Sequence, residues 1–444
     1  MKLKPYPEYK DSGVSWLGQI PAHWVERRAK YYLKESDERS QTGNEEMLSV
    51  SHITGVTPRS QKNVTMFQAE SNIGHKLCQP GDLVINTMWA WMSALGVSNH
   101  FGIVSPAYGV YRPKSGNDYD NYYLDKLLRV EEYRAEYICR STGIRSSRLR
   151  LYPDKFLSMP VICPPPAEQK VIVQFLKAQD FLINKFIRNK RRLIELLKEQ
   201  KQNIINQAVT RGLDPNVNLK PSGVEWIGDI PEHWQVRRLK FLCDIQTGGK
   251  DTVDRKESGK YPFFVRSQTV ECIDSYSFDG EAVLTAGDGA GVAKVFHYMN
   301  GKFDYHQRVY KFSSFKNIDG KLFFHYFSNT LCFEAFRGTA KSTVDSLRLP
   351  MLQNFPVLLP PLHEQKNIVL HIEYEIAAID QVIVRAEREI ELIQEYRTRL
   401  ISDVVTGQVD VRDIKVPEVT EEDLLTLEDN SEVVDDDLVQ EEDE

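Results

Sequence analysis

The chain has little of what secreted, membrane and catalytic proteins depend on. Its 444 residues include six scattered cysteines (Cys78, Cys139, Cys163, Cys243, Cys272, Cys332) and no Cys-x-x-Cys pair. Neither a structural zinc site nor a disulfide framework is expected, and the thiols read as buried and inert. No run approaches the roughly 18–20 apolar residues of a membrane span. Met1-Lys2-Leu3-Lys4-Pro5 lacks the apolar core of a signal peptide, so the expected compartment is the cytoplasm. There is no Asn-Pro-Pro-Tyr motif of amino-methyltransferases, and Gly338 to Ser342 lacks the second glycine of a phosphate-wrapping loop. Gly287-Asp288-Gly289-Ala290-Gly291 is too short and loop-like for a dinucleotide fingerprint.

One nuclease lookalike is present. Pro153-Asp154 followed by Glu168-Gln169-Lys170 matches the letters of a metal-nuclease pattern, but that chemistry needs both carboxylates around Mg²⁺ on adjacent strands. Glu168 falls at an expected helix start, where the helix dipole favours it. The second copy, Glu364-Gln365-Lys366, has no acidic residue near Leu349-Pro350. A framework role for the glutamate is therefore expected.

Net negative charge is also scarce outside one segment. The whole chain carries −7, but 14 acidic residues and no Lys or Arg lie between Glu418 and Glu444. Residues 1–417 hold 56 basic against 49 acidic side chains, a net of +7. The body is mildly basic, compatible with a polyanionic partner. The acidic segment has the composition of a disordered, solvating tail, or of an arm that touches a basic partner.

What the chain does have is repetition. Ser12-Gly13-Val14-Ser15-Trp16-Leu17-Gly18-Gln19-Ile20-Pro21-Ala22-His23-Trp24-Val25-Glu26-Arg27-Arg28-Ala29-Lys30 returns from Ser222 to Lys240, with twelve of nineteen positions identical at an offset of 210. Pro164-Pro165-Pro166-Ala167-Glu168-Gln169-Lys170 returns as Pro360-Pro361-Leu362-His363-Glu364-Gln365-Lys366 at an offset of 196. A period near 200 implies two domain-sized copies, hence a pseudo-two-fold molecule suited to a two-part target. The change of offset places a 14-residue shortening between Lys240 and Pro360. The order of the blocks is cyclic: joining the end to the start would recreate the central junction, so those two regions are expected to lie close together. The His23-Trp24 and His233-Trp234 pairs read as framework packing.

After each double proline comes a long helical run. From Ile372 the apolar positions step by 4 and 3 in turn: Ile376, Ile379, Ile383, Ala386, Ile390, Ile393, then Arg397, Leu400 and Val404. This is a coiled-coil seam. Its counterpart runs from Leu176 to Ala208, with Leu182, Phe186, Leu193 and Ile205 beside the seam to widen the apolar face. Gly212 and Gly407 stand where the helices should end. About 40 residues at 1.5 Å rise give each helix a length of roughly 60 Å. Antiparallel packing within one chain is expected; the alternative is a coiled coil between chains.

Between the repeats, two segments read as mixed α/β, with short strands and Gly/Asn/Asp/Ser turns. In the first, Gly81 to Asn86 and Gly109 to Tyr111 suit strands, and Tyr122 to Tyr137 suits a helix. Arg and Gln can bond bidentately to guanine and adenine edges, while Lys, Ser, Thr and glycine amides serve phosphates. Arg145 and Arg148 in the first segment, and Lys250, Arg266, Gln268, Arg308 and Lys341 in the second, are the candidates for such contacts; the other reading of an Arg-Ser-Ser-Arg loop is an ordinary solvated surface.

With these features the chain resembles the specificity (S) subunits of Type I restriction-modification systems. The resemblance covers residues 1 to about 414. It rests on the twin Trp-x-Gly-x-Ile-Pro-x-His-Trp blocks, the twin Pro-Pro-x-x-Glu-Gln-Lys helix starts, and helices ending in Val209-Thr210-Arg211-Gly212 and Val405-Thr406-Gly407. Gly102 to Tyr108 and Thr142 to Arg145 also look like one type of target-recognition domain. The resemblance implies a mixed α/β fold in which two target-recognition domains are held apart by a long antiparallel two-helix coiled-coil spacer. It implies the divisions 1–163, 164–212, 213–359, 360–407 and 408–444. It further implies a subunit without catalytic residues, metal or cofactor, reading a bipartite asymmetric site in double-stranded DNA. Its partners would be two modification subunits, using S-adenosylmethionine to methylate adenine, and restriction subunits, using ATP and Mg²⁺. A fused methyltransferase or nuclease, and a duplicated scaffold that binds proteins, are the other function classes; the missing motifs disfavour the first.

Overall fold

The structure is a computed structural model that describes residues 3–61, 71–114, 119–143, 149–335 and 346–417. The fold is mixed α/β, and the chain forms two compact units. One takes residues up to Lys190 together with those from Arg388 onward; the other takes Arg191 to Glu387. Its helices are α1 (Asn121–Leu128), α2 (Glu131–Arg140), α3 (Pro153–Leu157), α4 (Pro166–Arg211), α5 (Gly320–Ala335), α6 (Leu349–Asn354) and α7 (Leu362–Val405). Among the described residues no helix is long and apolar enough to cross a membrane.

In the first unit, a four-stranded antiparallel sheet runs in the order Leu33–Glu35, Gly109–Pro113, Leu83–Ile85, Leu95–Val97. Hairpin-like pairs Leu48–Ser51/Gly55–Pro58 and Lys76–Cys78/Gly102–Val104 lie beside it. The single helix expected from Tyr122 to Tyr137 is corrected to two. Asp120 caps α1 by accepting the amides of Tyr122 and Tyr123. The backbone turns extended at Val130 before α2 begins. The break allows Tyr123, Tyr133 and Tyr137, all fully buried, to face one core.

The second unit has a six-stranded sheet in the order Asp244–Thr247, Val309–Ser313, Phe278–Ala286, Phe296–Tyr305, Tyr261–Phe264, Glu271–Ile273. Only the contact of Tyr261–Phe264 with Phe296–Tyr305 is parallel. Helix α5 packs on this sheet through Leu322, Phe323 and Phe327.

The duplicated block does the same job in each unit. Trp24 and Trp234 are fully buried. Glu168, in the first turn of α4, accepts hydrogen bonds from Trp24 Nε1 (3.0 Å) and the Tyr6 hydroxyl (2.6 Å), and pairs with His23 Nε2 at 2.6 Å. Glu364, in the first turn of α7, accepts from Trp234 Nε1 (3.1 Å) and pairs with His233 Nε2 at 2.8 Å. Both Glu168 oxygens are thus occupied by framework groups, and Asp154 lies apart on α3 with an exposed side chain.

The neighbouring glutamines are also matched. Gln169 accepts the Asp120 amide and donates to the Pro164 carbonyl, while Gln365 accepts the Asp319 amide and donates to the Pro360 carbonyl. Asp319 in turn caps α5 through the amides of Lys321 and Leu322. The frame therefore reaches further into the segments between the repeats than the sequence suggested.

Within each unit the two long helices run antiparallel. In the first, Asp180 meets Arg397 Nε at 2.9 Å and Lys190 meets Glu389 at 2.5 Å. In the second, Lys201 meets Asp380 at 2.7 Å and the end of α4 at Gly212 lies by Glu364. The 4–3 positions from Leu176 to Ala208 and from Ile372 to Val404 are buried or half-buried throughout. Leu182, Phe186 and Leu193 are not: they stay exposed, and only Ile205 of the four flanking residues is buried. A two-helix seam covers one narrow stripe and leaves the flanks to water.

Gly212 and Gly407 end the helices at φ +75 and +79, the left-handed closure that glycine adopts without a Cβ penalty. The two regions expected to meet do so: the Asp410 amide bonds the Lys4 carbonyl at 2.8 Å, and Gln408 Nε2 donates to the Gln19 carbonyl. The cysteine expectation holds in part. Cys78, Cys163 and Cys243 are buried, Cys272 and Cys332 are half-buried, and Cys139 is exposed on α2. Burial pushes the Cys78 thiol up to about 11 and the Cys243 thiol up to about 12.

Candidate nucleic-acid interface

In the second unit, four loops that are distant in sequence are tied together by backbone hydrogen bonds. The strand Asp244–Thr247 leads into the loop that carries Lys250. Gly248 allows that loop to lie flat, since a Cβ there would come 2.0 Å from the Tyr305 carbonyl oxygen. The Lys250 carbonyl accepts the Gln307 amide (2.7 Å), and the Phe264 carbonyl accepts the His306 amide (2.9 Å). The Gly287 amide donates to the Arg308 carbonyl (2.8 Å), and the Leu347 amide to the Gly287 carbonyl (2.7 Å). Lys250, Arg266, Gln268 and Arg308, chosen for their chemistry, thus stand on loops that are bonded to one another or to neighbouring strands.

At the centre is a residue that reading for cations passed over. Asp288 takes one arginine on each carboxylate oxygen: Arg266 Nη1 on Oδ1 at 3.1 Å and Arg308 Nη1 on Oδ2 at 2.6 Å. Its side chain is 19% exposed, against 43% for Arg266 and 59% for Arg308. The carboxylate lies beneath and the guanidinium groups above. Burial pushes the Asp288 carboxyl up, but the hydrogen bonds from Arg308 and Arg266 outweigh this and hold it below the usual carboxylate range.

Gln268 is exposed and donates Nε2 to the Phe296 carbonyl at 3.4 Å. Lys250 is half-buried. His306 is buried, accepts the Arg308 amide on Nδ1, and has Nε2 3.9 Å from Asp251. Burial lowers its pKa against the opposing charge of Asp251, so its ring is a neutral support for the turn that presents Arg308. Gln307 donates to Asp251 and stiffens the same turn.

In the first unit, Arg145 and Arg148 lie outside the described residues, as does Lys341 in the second. The residues that flank them are informative. Thr142 and Arg150 close the first loop with paired backbone bonds of 3.0 Å, and the Leu151 amide donates to the Thr87 carbonyl at 3.0 Å. At the offset of 196, Leu151 corresponds to Leu347, whose amide bonds Gly287 in the same manner. That offset also puts Arg145 opposite Lys341. Trp89, 41% exposed, follows Thr87 on the adjoining loop, and Arg150 Nη2 reaches Met88 Sδ at 3.8 Å. Trp89 and Arg150 were not among the candidates chosen from sequence. Among the described residues no group of His, Cys, Asp and Glu could hold a metal ion.

The arrangement offers guanidinium, ammonium and amide donors on loops fixed by a sheet, which suits an acceptor-rich ligand. The model of the Type I restriction modification DNA specificity domain matches residues 231–383. The Type I restriction enzyme EcoDI specificity subunit of Escherichia coli is 27% identical over 190 residues, which are 41% of this chain and 40% of that protein. The MjaVIII specificity subunit of Methanocaldococcus jannaschii is 26% identical over 333 residues, 66% of this chain and 72% of that protein. The aligned part of the chain therefore spans only about two fifths of the first of these relatives. A chain solved in work on complex assembly and conformational transition of the type I R-M system shares the fold, with a TM-score of 0.64 at 16% identity, covering 88% of this chain and 99% of that one. In its matched domain, its relatives and its duplicated frame, the chain is similar to the specificity subunits of Type I restriction-modification systems.

Proposed function

We propose that the chain reads a bipartite, asymmetric site in double-stranded DNA. One half-site would be read by a recognition domain within residues 1–163 and the other by a domain within 213–359. The observation that carries this reading is the convergence of Lys250, Arg266, Gln268 and Arg308 on mutually bonded loops. Arg145, Arg148 and Lys341 are assigned to the same work, Arg145 and Lys341 at corresponding places in the two halves. The segments 164–212 and 360–407 serve as an antiparallel spacer that sets the unread gap, followed by the terminal segment 408–444. The chain itself binds no cofactor. Two modification subunits using S-adenosylmethionine, and restriction subunits using ATP and Mg²⁺, supply the chemistry in the cytoplasm. Exposed apolar residues on the long helices, such as Phe186, Leu196, Leu392 and Tyr396, suit a protein partner.

Selection from a random duplex library, followed by sequencing, tests this reading. Arg308→Ala is expected to weaken preference at one half-site by roughly ten- to a hundred-fold, since a bidentate Arg–base pair carries about 1–3 kcal/mol of discrimination. Removing seven residues from both α4 and α7 shortens each helix by about 10 Å and should shorten the gap by about three base pairs at 3.4 Å each. Recovery of no preferred sequence would overturn the DNA reading; an unchanged gap would overturn the spacer.

A further inference from the structure

We propose that Asp288 is a positioning residue that turns Arg266 and Arg308 toward guanine edges, one edge for each fork, rather than toward phosphates. The proposal rests on the DNA reading above. Each arginine reaches Asp288 through Nη1, and among the described residues no hydrogen bond engages the Nε–Nη2 side of either guanidinium. That side is the two-donor fork that matches paired acceptors, and guanine presents O6 and N7 as such a pair in the major groove.

The carboxylate also does what neither arginine can do alone. Two guanidinium groups held side by side repel one another, and each on its own would seek a phosphate. One carboxylate between them cancels one of the two charges and fixes both side chains against a common point. Its own backbone is held: Asp288 pairs with Ser346, and the preceding Gly287 bonds both Arg308 and Leu347. A carboxylate at this depth disfavours a phosphate above it, which biases the forks toward base edges. Asp288 does not itself read a base, because both of its oxygens are already engaged. Ordering two long side chains before binding avoids the entropy cost of immobilising them on the DNA.

The test uses the full chain, alone and assembled with its modification subunits, and the random duplex library as probe. Asp288→Ala should lower affinity for the selected duplex about ten-fold, the magnitude expected from freeing two side chains. Affinity for unrelated duplex should hold or rise. Each freed arginine that moves to a phosphate should steepen the dependence of log affinity on log salt by about 0.9, and a guanine preference should vanish from one half-site. Asp288→Asn keeps the volume and removes the charge, so it carries the test if the alanine variant does not fold.

Equal loss on selected and unrelated DNA, or an unchanged salt slope with the guanine preference intact, overturns the proposal. Arg266→Ala and Arg308→Ala are measured in parallel. If these lose the half-site while both Asp288 variants keep it, only the role of Asp288 falls; if none of the four affects selection, the DNA reading of this cluster falls with it.

Discussion

Glu168 and Glu364 stand at equivalent helix starts, yet the first accepts from Trp, His and Tyr and the second from Trp and His only. Their side chains are 6% and 21% exposed. The third donor, Tyr6, corresponds to Asn216 at the offset of 210, and Asn216 is exposed. The difference follows from how each junction is made. In the second unit the end of α4 continues covalently through residues 212–218 into the repeated block. In the first, the same junction is assembled from two segments far apart in sequence, residues 4–9 and 407–412. There the Arg412 guanidinium sits 5.0 Å from the Tyr6 ring centre, and Asp410 bonds Lys4. Non-covalent contacts close in one unit what the peptide chain closes in the other, and closing it buries the glutamate more deeply.

The strongest way to break that comparison is to remove the glutamates. Glu168→Ala leaves the buried Trp24 and Tyr6 donors without an acceptor, while the more exposed His23 can turn to water, and should cost about 3–5 kcal/mol, as expected on breaking a buried charged network. Glu364→Ala leaves two donors nearer to water and should cost about 2 kcal/mol. Urea denaturation of the two variants measures the difference; equal losses would mean that the extra burial of Glu168 contributes nothing.

Acid should act on the second unit through the half-buried His325 and the buried His297 and His306. Burial lowers His325 to about 4, with Lys321 and Lys201 adding to the effect and Glu373 opposing it. Burial also lowers His297 and His306. In the unfolded chain a histidine takes its proton near pH 6.5. Between that pH and about 4 the unfolded state therefore binds more protons, and stability falls as pH falls. For His325 alone the loss approaches roughly 3 kcal/mol at the acid end of this window. His325→Gln should flatten the fall in stability between pH 6.5 and 4 in denaturation curves. An unchanged pH slope would show that His325 is hydrated in solution.

How much of this was legible depended on the range of each interaction. The helix pair shows in the sequence because its seam repeats every 3.5 residues, a local signal, and its starts and stops because proline and glycine act on the backbone where they stand. The Glu-Gln-Lys motif was visible as a repeat, but its purpose was not. Gln169 and Gln365 act on Asp120 and Asp319, nearly fifty residues away, in segments whose sequences differ. The apolar flank of α4 was misread because periodicity gives the width of a stripe and not what covers it. At the candidate site, cations were legible by chemistry. Asp288 was not, because only strand pairing brings residues 266, 288 and 308 together, and a search for donors passes over the acceptor that orders them.

The smallest change sharpens the comparison most directly. Tyr6→Phe keeps the ring under Arg412 and edge-on to Trp24, 5.9 Å away at 72°, and removes only the hydroxyl that donates to Glu168. Burial, and then the hydrogen bond to Glu168, raise that phenol above its ordinary value, so below pH 10 it remains a donor and its contribution is fully present. The substitution should cost about 1 kcal/mol, the net worth of one hydrogen bond. If the hydroxyl is what distinguishes the two units, Glu168→Ala made in the Tyr6→Phe background should cost less than in the parent, moving toward the cost of Glu364→Ala. A double-mutant cycle measures this coupling. Strict additivity would show that the tyrosine ring, and not its hydroxyl, closes the junction.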